Sequence, residues 1–146
     1  LIRRGTWKYL KPLEDNKYMF WDGTVSDKSH LIVPSPNESR IIYYESCRGL
    51  EAWTVACFAI DKFFNQKMED PDAERYLIED LFLNQDNEQR KKMYAATWVL
   101  MALTRVIDTL YLQINEPDSI FGKAVMEYLS HNPKNIRIMS SKVATP

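Results

Sequence analysis

Six consecutive apolar residues, Val55-Ala56-Cys57-Phe58-Ala59-Ile60, do most to limit what this chain can become. A strand with one wet face alternates polar and apolar side chains, and this run does not. It suits a strand covered on both faces, as in a parallel sheet flanked by helices. Ahead of it, Ile41-Ile42-Tyr43-Tyr44 reads as a strand. Between the two, Glu45-Ser46-Cys47-Arg48-Gly49-Leu50-Glu51 reads as a tight glycine turn carrying a carboxylate. A second stretch answers the first: Leu100-Met101-Ala102-Leu103-Thr104-Arg105 reads as a helix end, and residues 109–114 as another strand. Strands alternate with helices from Ile41 onward. That pattern argues for an α/β domain with a mostly parallel sheet. Ligands gather at the carboxyl ends of strands in such sheets. Glu51 is expected just past one strand end, with Arg105 reaching the same place from the end of a helix.

The 146 residues suffice for one domain with a real core. Nineteen basic against twenty acidic side chains leave a net charge of -1. The total therefore gives no support to nucleic-acid binding, although one face can still be basic. Cys47 and Cys57 form no CxxC pair, and Cys57 reads as a buried core thiol. No disulfide framework or zinc site is implied, and a reducing, cytoplasmic setting fits. No run is long and apolar enough to span a membrane, and no secretory signal pattern occurs. The chain begins at Leu1 rather than a methionine. It reads as a trimmed chain or a piece of a larger protein, and the motifs favour the second.

Along the rest of the chain, Arg3, Arg4, Lys8 and Lys11 surround Trp7 and Tyr9. That is either a solvated face over a small apolar anchor or a strip for single-stranded nucleic acid. Residues 17–21 run into Asp22-Gly23, a hairpin signal. The partner strand is expected at Thr24-Val25 or Leu31-Ile32-Val33. Asp70-Pro71 starts a helix carrying Leu77, Ile78, Leu81 and Phe82. Asp86 with Gln89 resembles a capping box for the next helix. Its buried face is expected at Met93, Ala96, Leu100 and Leu103. Glu116-Pro117-Asp118-Ser119 caps a last helix with Phe121, Val125, Tyr128 and Leu129 as its apolar stripe. Residues 136–139 suit a short final strand.

The candidate functional residues each have two readings. Gly49 supplies a backbone angle that other residues dislike, and Glu51 either opens the next helix favourably or accepts hydrogen bonds from a ribose hydroxyl. Arg105, beside Thr104, either complements a helix dipole or aims its planar fork at a phosphate. Trp53 and Trp98 read as core or interface residues in preference to base-stacking platforms. His30 and His131 have no acid or cysteine at ligand spacing, so no metal site is expected. No GxxxxGK[ST] loop occurs, so a phosphate cradle and its lysine are missing.

Together, the two stretches resemble superfamily 1 helicases of the UvrD/Rep type. That family's fifth motif reads roughly His-Ser-Ala-Lys-Gly-Leu-Glu before an apolar strand, and Glu45-Ser46-Cys47-Arg48-Gly49-Leu50-Glu51 lies in its frame. The sixth reads roughly Tyr-Val-Ala-Leu-Thr-Arg-Ala, then Leu-Tyr-Leu a few residues on. Here Leu100-Met101-Ala102-Leu103-Thr104-Arg105-Val106 precedes Leu110-Tyr111-Leu112. The resemblance covers about residues 40–115. Departures are Glu45 for the family's histidine, Arg48 for its lysine, Ala52 then Trp53 for its aromatic residue, and Leu100 for its tyrosine.

The resemblance implies a RecA-like (P-loop NTPase-type) α/β fold over residues 41–140, the second such domain of a DNA helicase. Residues 141–146 form a tail, and residues 1–40 a segment with a candidate hairpin. By position, Glu51 holds the ATP ribose, Gly49 and Thr104 line the nucleotide, and Arg105 contacts the γ-phosphate as the catalytic arginine. ATP and Mg²⁺ are held mainly by an upstream N-terminal RecA-like domain, the principal partner. Single-stranded or duplex DNA is bound through the parent protein, and no membrane is involved. The isolated chain is expected to be inactive. The alternative is a degenerate helicase-like fold used as a protein-interaction module without ATPase activity.

Overall fold

The computed structural model describes residues 1–4, 10–25, 33–36, 38–75, 86–132, 134 and 136–139. It is a mixed α/β arrangement with short parallel strand pairs. The central pair is β3 (Ala52–Cys57) and β4 (Val106–Leu112), which run parallel. Parallel neighbours need a long crossover. Here it contains α2 (Ile60–Met68), α3 (Pro71–Arg75) and α4 (Asn87–Leu103).

A second parallel pair joins β1 (Trp21–Asp22) to β2 (Arg40–Ile41), and α1 (Lys11–Asp15) precedes it. The chain start links the two pairs. The Ile2 N–H donates to the Ile42 carbonyl (3.0 Å) and the Tyr44 N–H to the Ile2 carbonyl (3.0 Å). On the other side, the Leu1 nitrogen donates to the Ala56 carbonyl, and the Phe58 N–H to the Leu1 carbonyl (3.0 Å). Leu1 and Ile2 therefore act as a short parallel spacer between β2 and β3. Ile2, Leu10 and Ile41 form a buried cluster there, covered by Leu13, Phe20, Tyr43 and Phe58.

The apolar run at 55–60 is split between two elements. β3 ends at Cys57, and Ala59 adopts φ 53°, the left-handed region, as the chain swings into α2. The spacing Ile60, Phe63, Phe64, Lys67 then faces inward, all four being buried. Phe63 stacks on Tyr44 with centroids 4.4 Å apart, and the Tyr44 hydroxyl donates to the Phe58 carbonyl (3.0 Å). Asp61 is also buried, and its Oδ2 accepts the Asn115 N–H (3.1 Å) just beyond β4.

Several expectations need correction. Among the described residues, Thr24-Val25 does not pair back across Asp22-Gly23 as a hairpin. Strand β1 pairs in parallel with Arg40–Ile41, and the Asp22 carboxylate accepts the Thr24 N–H (2.8 Å), turning the chain locally. The strand expected over 41–44 is only two residues long, followed by a bridge at Tyr43 and a 3₁₀ turn, Tyr44–Ser46. Helix α4 does start at an Asp86 cap, whose carboxylate accepts the Gln89 N–H (2.7 Å). Its buried face is Tyr94, Ala95, Val99 and Ala102, while Met93 and Leu100 are exposed. Helix α2 packs against that small-residue stripe. β4 begins at Val106, earlier than expected. No strand is assigned among residues 136–139. The helical stripe Leu77, Ile78, Leu81 and Phe82, the alternative strand Leu31-Ile32, and the 141–146 tail lie outside the described residues.

Residues 1–115 form one compact unit and residues 116–146 another. The second holds α5 (Ile120–His131), capped by Ser119, whose hydroxyl accepts the Gly122 N–H (3.0 Å). Phe121 is buried, but Tyr128, expected on the apolar stripe, is exposed. No helix among the described residues is long and apolar enough to cross a membrane.

Candidate functional site

The glycine turn and the helix-end arginine meet at one edge of the β3/β4 pair. The Ala52 N–H donates to the Arg105 carbonyl (3.0 Å), and Ala52 pairs with Val106 in register. Glu51 and Arg105 are thus the residues immediately before two adjacent parallel strands. Both lie at the amino ends of β3 and β4, as expected for Arg105, which was read as preceding its strand; Glu51 was expected just past the end of a strand over 41–44, of which only Ile41 is in a strand.

The turn is built as its sequence requires. The Leu50 N–H donates to the Cys47 carbonyl (3.1 Å), closing four residues with Gly49 third. Gly49 has φ 76°, the conformation a type II turn demands at that place. Nothing lies within 4 Å of where a Cβ would sit, so it is the backbone angle alone that favours glycine. Glu51, next after Leu50, is exposed.

Arg105 is half-buried. Its Nη2 donates to the Thr104 hydroxyl (3.0 Å), and its buried Nε has no hydrogen-bond partner among the described residues. Thr104 is the cap residue of α4, its hydroxyl donating back to the Met101 carbonyl (3.3 Å). The guanidinium also acts on the turn. Burial pushes the Cys47 thiol up, and the positive charge of Arg105 offsets part of that rise. The arginine charge therefore lies close to the loop bearing Gly49 and Glu51. A cation with an unspent donor, an exposed carboxylate and a turn of bare backbone can together receive a ligand with an anionic end and hydroxyls.

A buried lysine supports this edge from behind, and no motif marked it. Lys67 of α2 reaches Glu45 (3.4 Å) and Asp70 (3.5 Å), and its ammonium lies 4.4 Å from the Trp98 ring centre. It joins the loop preceding Glu51 to α2 and to α4, the helix that ends at Arg105. The signal available was its place in the spacing Ile60, Phe63, Phe64, Lys67. Glu45 is thereby tied to α2.

Trp98 is half-buried in this contact, as a core residue would be. Trp53 is not in the core: it is 72% exposed. His131 bonds within its own helix turn, near the Glu127 carbonyl (2.9 Å), and His30 lies outside the described residues. Among the described residues, no three His, Cys, Asp or Glu side chains gather as a metal site.

No protein-family model matches the chain, and neither a curated protein nor a solved structure shows significant similarity to it.

Proposed function

We propose that this chain is the second RecA-like domain of an ATP-dependent DNA helicase, supplying one wall of the ATP site. The observation that carries the reading is the Ala52–Arg105 backbone bond. Two motifs more than fifty positions apart in the sequence become neighbours at one sheet edge. In this reading Glu51 accepts the ribose hydroxyls, and the Gly49 turn lets backbone approach the nucleotide. Thr104 holds Arg105, whose guanidinium meets the γ-phosphate across the cleft from the first RecA-like domain. That upstream domain carries the phosphate loop and the residues that hold Mg²⁺ on the phosphates. ATP draws the domains together, hydrolysis releases them, and the parent steps along single-stranded DNA. The unpartnered Arg105 Nε supports the fit, since a phosphate oxygen would satisfy it.

A second reading is a helicase-like interaction module without turnover. It is favoured by Glu45, which stands where the family has a histidine on the DNA side and is tied inward to Lys67.

The assignment of Glu51 is tested by Glu51→Ala in the full-length parent. Losing a hydrogen bond from a charged group costs about 1.5–3 kcal/mol, so KM for ATP should rise about 10- to 100-fold. Glu51 makes no buried contact, so folding should be unchanged. An unaltered KM would remove it from the site.

A further inference from the structure

We infer that Trp53 is the base-stacking residue of this nucleotide site, taking the flat face of a purine while Glu51 holds the sugar. The inference rests on the nucleotide reading above and adds the recognition of the base to it.

Alternate residues of a strand share a face. Val55 and Cys57 on the face of Trp53 are buried, at 7% and 1% exposure, whereas Trp53 is 72% exposed. The indole therefore emerges where the helical cover of that face stops, at the edge bearing Glu51 and Arg105. An extended chain places residues two apart on one side, about 7 Å from each other. A carboxylate and an aromatic plane at that separation match the sugar hydroxyls and the base of one nucleoside. Arg105, at the start of the neighbouring strand, is placed for the phosphates. The three groups complement the three chemical parts of one ligand.

The register of the sheet adds an independent sign. Ala52 pairs with Val106 but Thr54 with Thr109, so two steps along β3 face three along β4. The irregularity is a bulge in β4 opposite Trp53, leaving β3 itself regular. Bulges of this kind re-aim side chains next to binding sites. Ile107, in the bulge, is 54% exposed and Leu50, in the turn before β3, is 38% exposed, two further apolar side chains at this edge. A π-face accepts any base, so stacking alone predicts tolerance among purines rather than hydrogen-bonded selection.

The test uses the full-length parent labelled with 5-fluorotryptophan, in which the Trp53 resonance is the one lost in Trp53→Phe. The probes are ATP, adenosine and inorganic triphosphate. The Trp53 resonance should shift with ATP and adenosine and stay still with triphosphate. Trp53→Ala should weaken ATP binding about 5- to 100-fold, with Trp53→Phe in between. Suppose ATP shifts the amides of Gly49 and Arg105 but leaves Trp53 unmoved. Stacking is then overturned and the nucleotide reading stands. If millimolar ATP moves nothing in the folded full-length parent, both are overturned. A Trp53 resonance that instead follows protein concentration alone would show that a second copy covers the indole, which also overturns the proposal.

Discussion

Arg105→Ala should lower DNA-stimulated ATP turnover of the full-length parent by about 10³-fold or more while leaving the protein folded. A guanidinium meeting the transferring phosphoryl group is worth about 10³–10⁵ in rate. Its effect falls on kcat, because the charge it neutralises develops in the transition state. The fold should tolerate the change. The bond that aligns β3 with β4 uses the Arg105 carbonyl, which alanine keeps. The side chain is only half-buried, and among the described residues it bonds to the neighbouring Thr104 hydroxyl. Arg105→Lys separates charge from shape. It retains the cation but not the planar fork, so its rate should fall between wild type and alanine. Steady-state phosphate release at saturating ATP, with circular dichroism as the folding control, reads the difference. A rate within about tenfold of wild type would place Arg105 among helix-capping residues and outside catalysis.

Lys67→Met should destabilise the chain by about 3 kcal/mol, the low end expected when one partner of a buried ion pair is removed. The low end applies because Glu45 and Asp70 keep some contact with water, at 28% and 25% exposure. Methionine preserves most of the apolar stem over Phe63 and Trp98, so the loss reports the charge. Without the ammonium, the Glu45 carboxylate is left at the protein interior with a buried Oε2 that already lacks a partner. The aromatic face of Trp98 loses its cation as well. Urea unfolding should show a lower midpoint with an unchanged slope. The Glu45→Gln, Lys67→Met double change should recover part of the loss, because it removes the stranded charge too. An unchanged midpoint in Lys67→Met would mean that the contacts are worth no more than a surface pair.

The parts of the fold that the chain declared locally are those set by short-range chemistry. Gly49 announced its turn, Asp86 its cap, and the strand–helix alternation its parallel pairing. The failures have physical causes of one kind. The run 55–60 hid a helix start because Ala59 takes a left-handed angle that alanine composition does not signal. On α4, large Met93 and Leu100 looked like the core. Small Ala95 and Ala102 are among the buried positions instead, on a helix that packs against α2. Asp22-Gly23 looked like a hairpin, yet the partner of Trp21 is Arg40, far beyond any local turn. The candidate site divides the same way. Glu51, Gly49, Thr104 and Arg105 were legible one at a time. Their meeting at the amino edge depends on long-range register, and so does the bulge opposite Trp53. Lys67 was invisible because a lysine in an amphipathic spacing reads as the wet face.

The central claim is that this sheet edge is one wall of a working ATP site in a DNA-driven motor. Phosphate release by the full-length parent with Mg²⁺, measured with and without single-stranded DNA, tests it most directly. The account predicts turnover that rises on adding single-stranded DNA, and none from the isolated chain, which lacks the opposing wall. A folded parent that releases no phosphate with or without DNA would contradict it, and the edge would then belong to a protein-interaction module.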